Sequence, residues 1–235
     1  GKDLIETDKF LRTLGIDKSA DEGVKMYMNS DNEPYQKAVN AYLEGVNKFI
    51  DEGKTPIEFT LIGIEKQHFT PKDLYLVSGY MAFSFALALR TDPLVEKMKR
   101  TLGENYLKDI AIETPNGCVK IPTFSTEESK GMVMNEISSI LTLFESLPTQ
   151  PFIGSNGWVL SGKKTKSGKV MLCNDTHIAY GQPSVWYEAH MEIPGLQIYG
   201  NHLAGVPFPI IGHNQFAAIG ITMFENDDID LYLEK

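Results

Sequence analysis

Apolar side chains recur at helical spacing through the first half of the chain. One stripe runs from Tyr35 to Ile50, which predicts an amphipathic helix. It contains Val39, Tyr42, Leu43, Val46, Phe49 and Ile50. A second helix is predicted to start at Thr70-Pro71-Lys72-Asp73, where Thr70 can cap, Pro71 fits the first turn and Asp73 complements the helix dipole. The run that follows to Leu89 is apolar nearly all round, so we expect this helix to be buried on most sides.

Two more helical patterns follow. Asp92-Pro93 repeats the start signal, and Gly103 fits a helix end. Between Ser125 and Leu147 a further stripe predicts a helix. It is formed by Ile137, Ile140, Leu141 and Phe144.

After residue 150 the pattern changes to short strands. Trp158-Val159-Leu160 and Val170-Met171-Leu172 flank a turn rich in Lys, Ser and Gly, which predicts a hairpin. Further strands are predicted from their apolar content and flanking turn residues. They are Val185 to Ile193, Leu196 to Tyr199, and Phe216 to Ile221. The change from helices to antiparallel strands predicts an α+β fold, with Thr149-Gln150-Pro151 as the connector.

Composition and charge argue against some classes of function. The net charge of -9 argues against a general nucleic-acid binder, which needs a basic face to meet phosphates. The one basic cluster, between Lys163 and Lys169, is interrupted by Gly and Ser and is interpreted as a solvated turn rather than a binding patch. The longest strongly apolar run, Gly79 to Leu89, is too short to span a bilayer, so no membrane partner is expected. Cys118 and Cys173 are expected to be buried free thiols, although one disulfide is arithmetically possible.

The candidate chemistry lies at Gly154-Ser155-Asn156, immediately before the predicted hairpin. On local sequence alone this is ordinary turn composition. If the chain were cut after Gly154, however, Ser155 would begin a strand and carry both a hydroxyl and an α-amine. An α-amine has an ordinary pKa of roughly 7.7–8.0, so it can act as general base for its own hydroxyl. Gly154 suits the bond to be cut, since glycine permits the strained backbone that an N-to-O acyl shift needs.

An ordered series of segments resembles the penicillin acylases, which are N-terminal nucleophile hydrolases. Ser155-Asn156-Gly157-Trp158-Val159 resembles the start of their β-chain. Downstream, the similar segments are Asn174-Asp175-Thr176-His177, Gly212-His213-Asn214, Gly220-Ile221-Thr222 and Asp227-Asp228-Ile229-Asp230. Upstream, the segment from Ala41 to Asn47 resembles the Tyr-x-x-Gly-hydrophobic-Asn helix of the α-chain, and Pro56 to Phe59 and Phe69 to Asp73 also fit.

The resemblance implies a partial αββα sandwich of the N-terminal nucleophile type. It implies a mostly helical α-chain-like segment over 1–145, a linker or processing region over 146–154, and the start of a catalytic β-chain over 155–235. The chain then resembles a central slice of a precursor that cuts itself between Gly154 and Ser155. The two products would form a heterodimer. A periplasmic or extracytoplasmic site is implied by resemblance alone, since the chain shows no signal peptide.

The resemblance also assigns roles to residues. Ser155 would be the nucleophile, the backbone N–H of Met223 an oxyanion donor, and His177 a residue that helps place the amine. A structural His at a strand end is the alternative for His177. A second oxyanion donor, an Asn side chain, has its position in the family beyond Lys235.

A metal site and a substrate pocket are implied less directly. Calcium ligands would be Asp227, the Ile229 carbonyl, Asp230 and Asp92, with a solvated acidic loop as the alternative. By position, an acyl pocket would be lined by Ile178, Trp186, Met81, Phe83, Phe85 and Met223, each of which also fits a core position. No organic cofactor is expected.

The function implied is hydrolysis of a linear amide in a small N-acyl compound, such as a penicillin, an acyl-homoserine lactone or a related amide. An inactive fragment or non-catalytic relative that serves as a scaffold or binding module is one alternative. A conventional serine hydrolase that uses His177 is another, disfavoured because no Gly-x-Ser-x-Gly elbow surrounds Ser155.

Overall fold

The computed structural model describes residues 2–30, 33–85, 88–110, 142, 154–178, 180–182 and 184–224. Within these ranges the helices come first and the strands follow, which confirms the α+β class. The chain forms two compact units. The larger unit contains Leu11–Phe83 and Phe152–Met223, and the smaller unit contains Gly1–Phe10, Ser84–Pro151 and Phe224–Lys235.

Helices account for the described part of the chain before residue 110. They are α1 (Ile5–Thr13), α2 (Ile16–Met28), α3 (Pro34–Glu52), α4 (Ile57–Ile62), α5 (Pro71–Ser84), α6 (Ala88–Leu102) and α7 (Glu104–Asp109), with a short 3-10 helix at Lys2–Leu4. None of the described helices is both long and apolar enough to cross a membrane. The helices predicted over 35–50 and from Pro71 are present as α3 and α5. The helix predicted over Ser125 to Leu147 lies outside the described residues, apart from Thr142.

Part of the predicted stripe of α3 lies in the core of the larger unit. Val39 and Leu43 are buried together with Tyr27 of α2. The Tyr27 hydroxyl lies 2.7 Å from Asn40 Oδ1, so this buried ring keeps a hydrogen-bond partner. Lys72 at the start of α5 lies 2.8 Å from both Asp17 and Asp21 of α2, which ties α5 to α2.

Two predictions about the apolar run after Pro71 are wrong. The run is divided between α5 and α6, and α5 has no buried residue although it is apolar nearly all round. Asp92-Pro93 does not start a helix, since α6 already begins at Ala88. Ala, Leu and Arg are strong helix formers and extend α6 backwards from the proline. Gly103 ends α6 as predicted, with a φ of 88° that favours glycine.

The strands form two antiparallel sheets, a two-stranded hairpin β1–β2 and a four-stranded sheet in the order β3-β4-β5-β6. They are β1 (Gly154–Leu160), β2 (Met171–His177), β3 (Trp186–Ile193), β4 (Leu196–Leu203), β5 (Ile211–Asn214) and β6 (Ala218–Ile219). The predicted hairpin is confirmed, and its turn contains a 3-10 helix, Gly162–Lys164. The strand predicted over Phe216 to Ile221 is only two residues long, and β5 was not predicted. Cys173 is a free thiol but is exposed on β2 rather than buried.

Contacts inside the larger unit join its helices to its four-stranded sheet. Tyr42 of α3 is hydrogen-bonded to Tyr187 of β3, and burial together with this bond raises the pKa of Tyr42. Tyr187 in turn stacks on the buried His202, with ring centroids 5.2 Å apart. Gly205 has a φ of 85°, and a Cβ there would lie 2.9 Å from the Phe69 ring, so this turn requires glycine.

Candidate active site

The β1–β2 hairpin sets the position of Ser155. Ser155 pairs with Thr176, and Gly157 pairs with Asn174. Because side chains alternate along a strand, Ser155, Asn174 and Thr176 project from one face of the hairpin. Ser155 is half-buried there.

The segment that follows β6, residues 220–223, lies against this face. The Ser155 hydroxyl donates a hydrogen bond to Thr222 Oγ1 at 2.8 Å. The Met223 backbone N–H donates to Ser155 Oγ at 3.1 Å. The Thr222 hydroxyl lies 3.3 Å from the Ser155 carbonyl oxygen, to which it donates. The serine oxygen thus has one acceptor for its proton and one backbone donor beside it.

Asn174 holds residues 220–223 next to the hairpin. Its Nδ2 donates to the Asn156 carbonyl at 2.8 Å and to the Ile221 carbonyl at 2.9 Å. Its Oδ1 accepts the Ile221 N–H at 2.9 Å. A Cβ at Gly220 would lie 3.1 Å from three atoms of the Asn174 side chain, so glycine leaves room for this amide.

This arrangement can stabilise negative charge that develops close to Ser155 Oγ. When a serine attacks a carbonyl, Oγ becomes bonded to the carbonyl carbon and the negative charge develops on the carbonyl oxygen. A backbone N–H that already lies beside Oγ can then donate to that oxyanion at little reorganisation cost. The Met223 N–H thus lies beside Ser155 Oγ, and its role as an oxyanion donor stays a prediction.

The structure does not bring the His177 ring to the Ser155 hydroxyl. His177 pairs with Gly154, so its side chain projects from the opposite face of the hairpin, where Asn156 and Asp175 also lie. Its Nε2 lies 3.1 Å from Asp175 Oδ2 and 3.4 Å from Asn156 Nδ2. His177 is thus next to the Gly154–Ser155 bond but is turned away from the nucleophilic oxygen.

Gly154 lies in a paired strand. It is the first residue of β1 and pairs with His177. Among the described residues, a Cβ there would meet His177 Nδ1 at an ordinary distance of 3.6 Å. The described neighbours therefore leave room for a side chain at this position, and strain at the bond to be cut stays a prediction.

The remaining predicted site residues are dispersed over both units. Ile178 follows β2, Trp186 begins β3, and Met81 and Phe83 lie on α5; all four belong to the larger unit and are half-buried. Phe85, also half-buried, belongs to the smaller unit. The pocket that these residues would line stays a prediction.

The predicted calcium ligands fall mostly outside the described residues. Asp227, Ile229 and Asp230 lie there, while Asp92 is half-buried in α6. Among the residues that the structure describes, no group of three or more His, Cys, Asp or Glu side chains is arranged to hold a metal. Calcium binding therefore stays a prediction.

Gly212-His213-Asn214 has a structural explanation. A Cβ at Gly212 would lie 2.4 Å from the Tyr199 carbonyl oxygen, so glycine permits the close approach of β5 to β4. Asn214 Oδ1 accepts the N–H groups of Phe216 and Ala217, both at 2.8 Å, which closes the turn into β6. This turn directs the chain towards residues 220–223.

Thr222 and Asn174 belong to the motifs of the resemblance, but the sequence did not predict that they contact the site of Ser155. Thr222 contacts the serine hydroxyl, and Asn174 joins the two segments of the site. The available signal was a polar residue inside each motif. That signal does not reveal a partner 67 or 47 residues away.

Comparisons with known proteins show the family of the chain. A family model described as penicillin amidase matches residues 1–235. Acyl-homoserine lactone acylase QuiP from Pseudomonas aeruginosa is 26% identical over 244 residues, and the match covers 100% of the chain and 28% of the relative. Penicillin acylase 2 proenzyme from Pseudomonas sp. (strain SE83) is 25% identical over 247 residues, covering 100% of the chain and 31% of the relative.

A shorter match, 27% identity over 81 residues, joins 34% of the chain to 10% of penicillin G acylase from Escherichia coli. The chain spans less than a third of the length of the curated relatives described here. No solved structure gives a significant match.

Proposed function

The chain belongs to the penicillin amidase family, and from this we propose that it carries the nucleophile of an amidohydrolase that cuts a linear amide bond. The observation that carries the proposal is the pair of contacts on Ser155 Oγ. These are a hydroxyl acceptor, Thr222, at 2.8 Å and a backbone donor, Met223, at 3.1 Å. Acylase relatives that align with the whole chain support the same class of reaction.

The first step of the proposed mechanism is cleavage of the chain itself. Ser155 Oγ attacks the Gly154 carbonyl carbon, the C–N bond breaks, and the hydroxyl proton passes to the released nitrogen. Water then hydrolyses the resulting ester, which leaves a carboxylate on Gly154 and an α-amine on Ser155. The remainder of the precursor and the segment that begins at Ser155 would stay together as a heterodimer.

The second step is turnover of substrate. The new α-amine, with an ordinary pKa of roughly 7.7–8.0, takes the Oγ proton while Oγ attacks the amide carbonyl. The Met223 N–H stabilises the oxyanion. The amine product leaves with the transferred proton, and water releases the acid from the acyl-enzyme. In this scheme His177 packs beside the Gly154–Ser155 bond and does not transfer the proton, since its ring lies on the opposite face of the hairpin.

The antiparallel sheets, with Ser155 near the start of a strand, suit the αββα sandwich of N-terminal nucleophile hydrolases, and we propose this fold for the whole enzyme.

For substrate, the names of the relatives suggest two N-acyl compounds, an acyl-homoserine lactone and a penicillin. Both contain a linear amide between an acyl group and an amine. As part of the same proposal, the whole enzyme is located outside the cytoplasm.

The test uses protein expressed from the complete open reading frame. We expect N-terminal sequencing to find a second N-terminus at Ser155, which is lost in Ser155→Ala. Ser161→Ala is the matched control, because Ser161 is an exposed serine that directly follows the same hairpin strand. Hydrolysis is measured by mass spectrometry with penicillin G and with acyl-homoserine lactones from butanoyl to dodecanoyl.

Each outcome has a distinct meaning. Cleavage and hydrolysis that are both lost in Ser155→Ala and retained in Ser161→Ala support the proposal. An uncut wild-type protein that hydrolyses amides supports a conventional serine hydrolase instead. An uncut and inactive wild-type protein contradicts the proposal and leaves a scaffold or binding role.

A further inference from the structure

The Asn174 carboxamide makes three hydrogen bonds that join the strand of the nucleophile to the segment of the backbone donor. We propose that Asn174 is a positioning residue, whose carboxamide fixes the Met223 N–H relative to Ser155 Oγ. The inference rests on the proposed function and assigns a residue that controls the efficiency of its chemical step. Asn174 itself touches neither the substrate carbonyl nor the serine oxygen in this role.

The local backbone explains why such a residue is needed. β6 ends at Ile219, where its pairing with β5 stops. Among the described residues, the Asn174 side chain then takes the place of a neighbouring strand, because it binds both the N–H and the carbonyl of Ile221. The same amide binds the Asn156 carbonyl at 2.8 Å. It therefore fixes one residue adjacent to Ser155 and one residue two positions before Met223.

Small displacements at this point affect the rate strongly. The Met223 N–H lies 3.1 Å from Ser155 Oγ, close to the limit of a good N–H···O bond. A misplacement of about 1 Å in a catalytic arrangement can cost roughly a hundredfold in rate. Loss of an oxyanion donor typically costs about 10²–10³ in kcat. An Asn174 variant that loosens residues 220–223 should therefore lower kcat more than it raises KM.

The chain provides a matched control in Asn47 of α3. Its Nδ2 donates to the Phe69 carbonyl at 2.9 Å, and its Oδ1 accepts the Phe69 N–H at 2.7 Å. Asn47 thus makes the same two-point contact with one backbone residue, in the same unit, but binds neither 154–156 nor 220–223. It is half-buried like Asn174. Loss of either amide should cost stability, whereas only loss of Asn174 should affect the chemical step.

The first experiment compares Asn174→Ala and Asn174→Asp with Asn47→Ala and Asn47→Asp, each made in the complete open reading frame. For cleaved protein, kcat and KM are measured separately, well below the melting temperature of the least stable variant. We expect kcat to fall about 10- to 100-fold in the Asn174 variants, with KM within about twofold. Asn174→Asp should lose as much as Asn174→Ala, because a carboxylate cannot donate to the Asn156 and Ile221 carbonyls. In the Asn47 variants kcat should stay within about threefold of wild type at a comparable loss of melting temperature.

The second experiment does not depend on cleavage. Hydrogen–deuterium exchange with mass spectrometry compares the peptide that covers residues 220–223 with the peptide around Phe69. In Asn174→Ala, exchange should rise at residues 220–223 and not around Phe69. Asn47→Ala should show the reverse. Hydrogen–deuterium exchange can therefore be measured even in a variant that folds but is not cleaved.

The outcomes separate failure of the inference from failure of the proposed function. The inference is overturned if exchange at residues 220–223 is unchanged in Asn174→Ala, or if the Asn174 and Asn47 variants lose kcat equally. A fall in kcat with increased exchange at residues 220–223 supports it. If wild-type protein is neither cut nor active, the proposed function fails, and the exchange data still decide whether Asn174 holds the segment.

Discussion

Gly220 is the residue at which a single added carbon tests the geometry of the site most directly. Gly220→Ala would place a Cβ 3.1 Å from the Cβ, Cγ and Oδ1 atoms of Asn174. Ordinary contacts between carbon atoms lie at about 3.5–4.0 Å, so the neighbour must move by a few tenths of an ångström. Asn174 cannot move freely, because three hydrogen bonds of 2.8–2.9 Å hold its amide.

The expected magnitude follows from this crowding. An extra methyl group in a packed site costs about 1–3 kcal/mol. Replacing Gly by Ala also recovers about 0.4–1 kcal/mol by restricting the unfolded chain. Gly157→Ala is the matched control, because its Cβ would meet Asn174 Nδ2 at an ordinary 3.5 Å. Since both variants share the unfolded-state gain, the difference between them, about 1–3 kcal/mol, isolates the crowding at residue 220.

The assay combines stability with catalysis. The melting temperature, measured in protein from the complete open reading frame, should be lower for Gly220→Ala than for Gly157→Ala. Hydrolysis by Gly220→Ala should show a lower kcat, because a displaced Ile221 also displaces the Met223 N–H. If Gly220→Ala were as stable and as active as Gly157→Ala, the close packing of residue 220 on Asn174 would be refuted.

Four further predictions concern Ser155 and its surroundings. Gly154→Ala should still be cut, at a rate within about threefold of wild type, because an added Cβ would meet His177 Nδ1 at an ordinary 3.6 Å; gel analysis that shows only uncut protein would contradict this. Thr222→Val should slow hydrolysis about tenfold through loss of the hydroxyl partner, whereas Thr222→Ser should retain the rate, and equal losses in the two variants would argue against a hydrogen-bonding role. His177→Ala should reduce kcat by less than about tenfold, whereas a proton-transferring His would cost about 10²–10⁴. The pH profile of kcat/KM should rise as the Ser155 α-amine loses its proton, with an apparent pKa of roughly 7.7–8.0, and a flat profile would exclude the amine as the base.

Helices could be predicted from the sequence only where apolar residues form a single stripe. α3 was predictable because its apolar stripe has a single direction, and its buried members Val39 and Leu43 belong to that stripe. The run after Pro71 is apolar nearly all round, and such a pattern specifies neither where a helix ends nor which face is covered. Its division between α5 and α6, and the partial burial of α5, were therefore not predictable.

Strands were predictable where a turn separated two apolar runs. The β1–β2 hairpin has such a turn between Leu160 and Met171. β5 has none of this pattern, because Gly212-His213-Asn214 is small and polar. It becomes a strand because Gly200 and Gly212 allow β4 and β5 to approach closely.

The sequence by itself, through its resemblance to the penicillin acylases, predicted roles for Ser155 and Met223 and gave the order of the motifs between them. Tertiary structure alone decided which atoms meet. Strand pairing places Ser155 and Asn174 on one face of the hairpin and His177 on the other, which separates two residues that the motif lists together. The turn after β5 then returns residues 220–223 to Ser155, where Thr222, Met223 and Asn174 complete the site. Such contacts depend on strand register and chain reversal, and neither is encoded in the spacing of residues along the sequence.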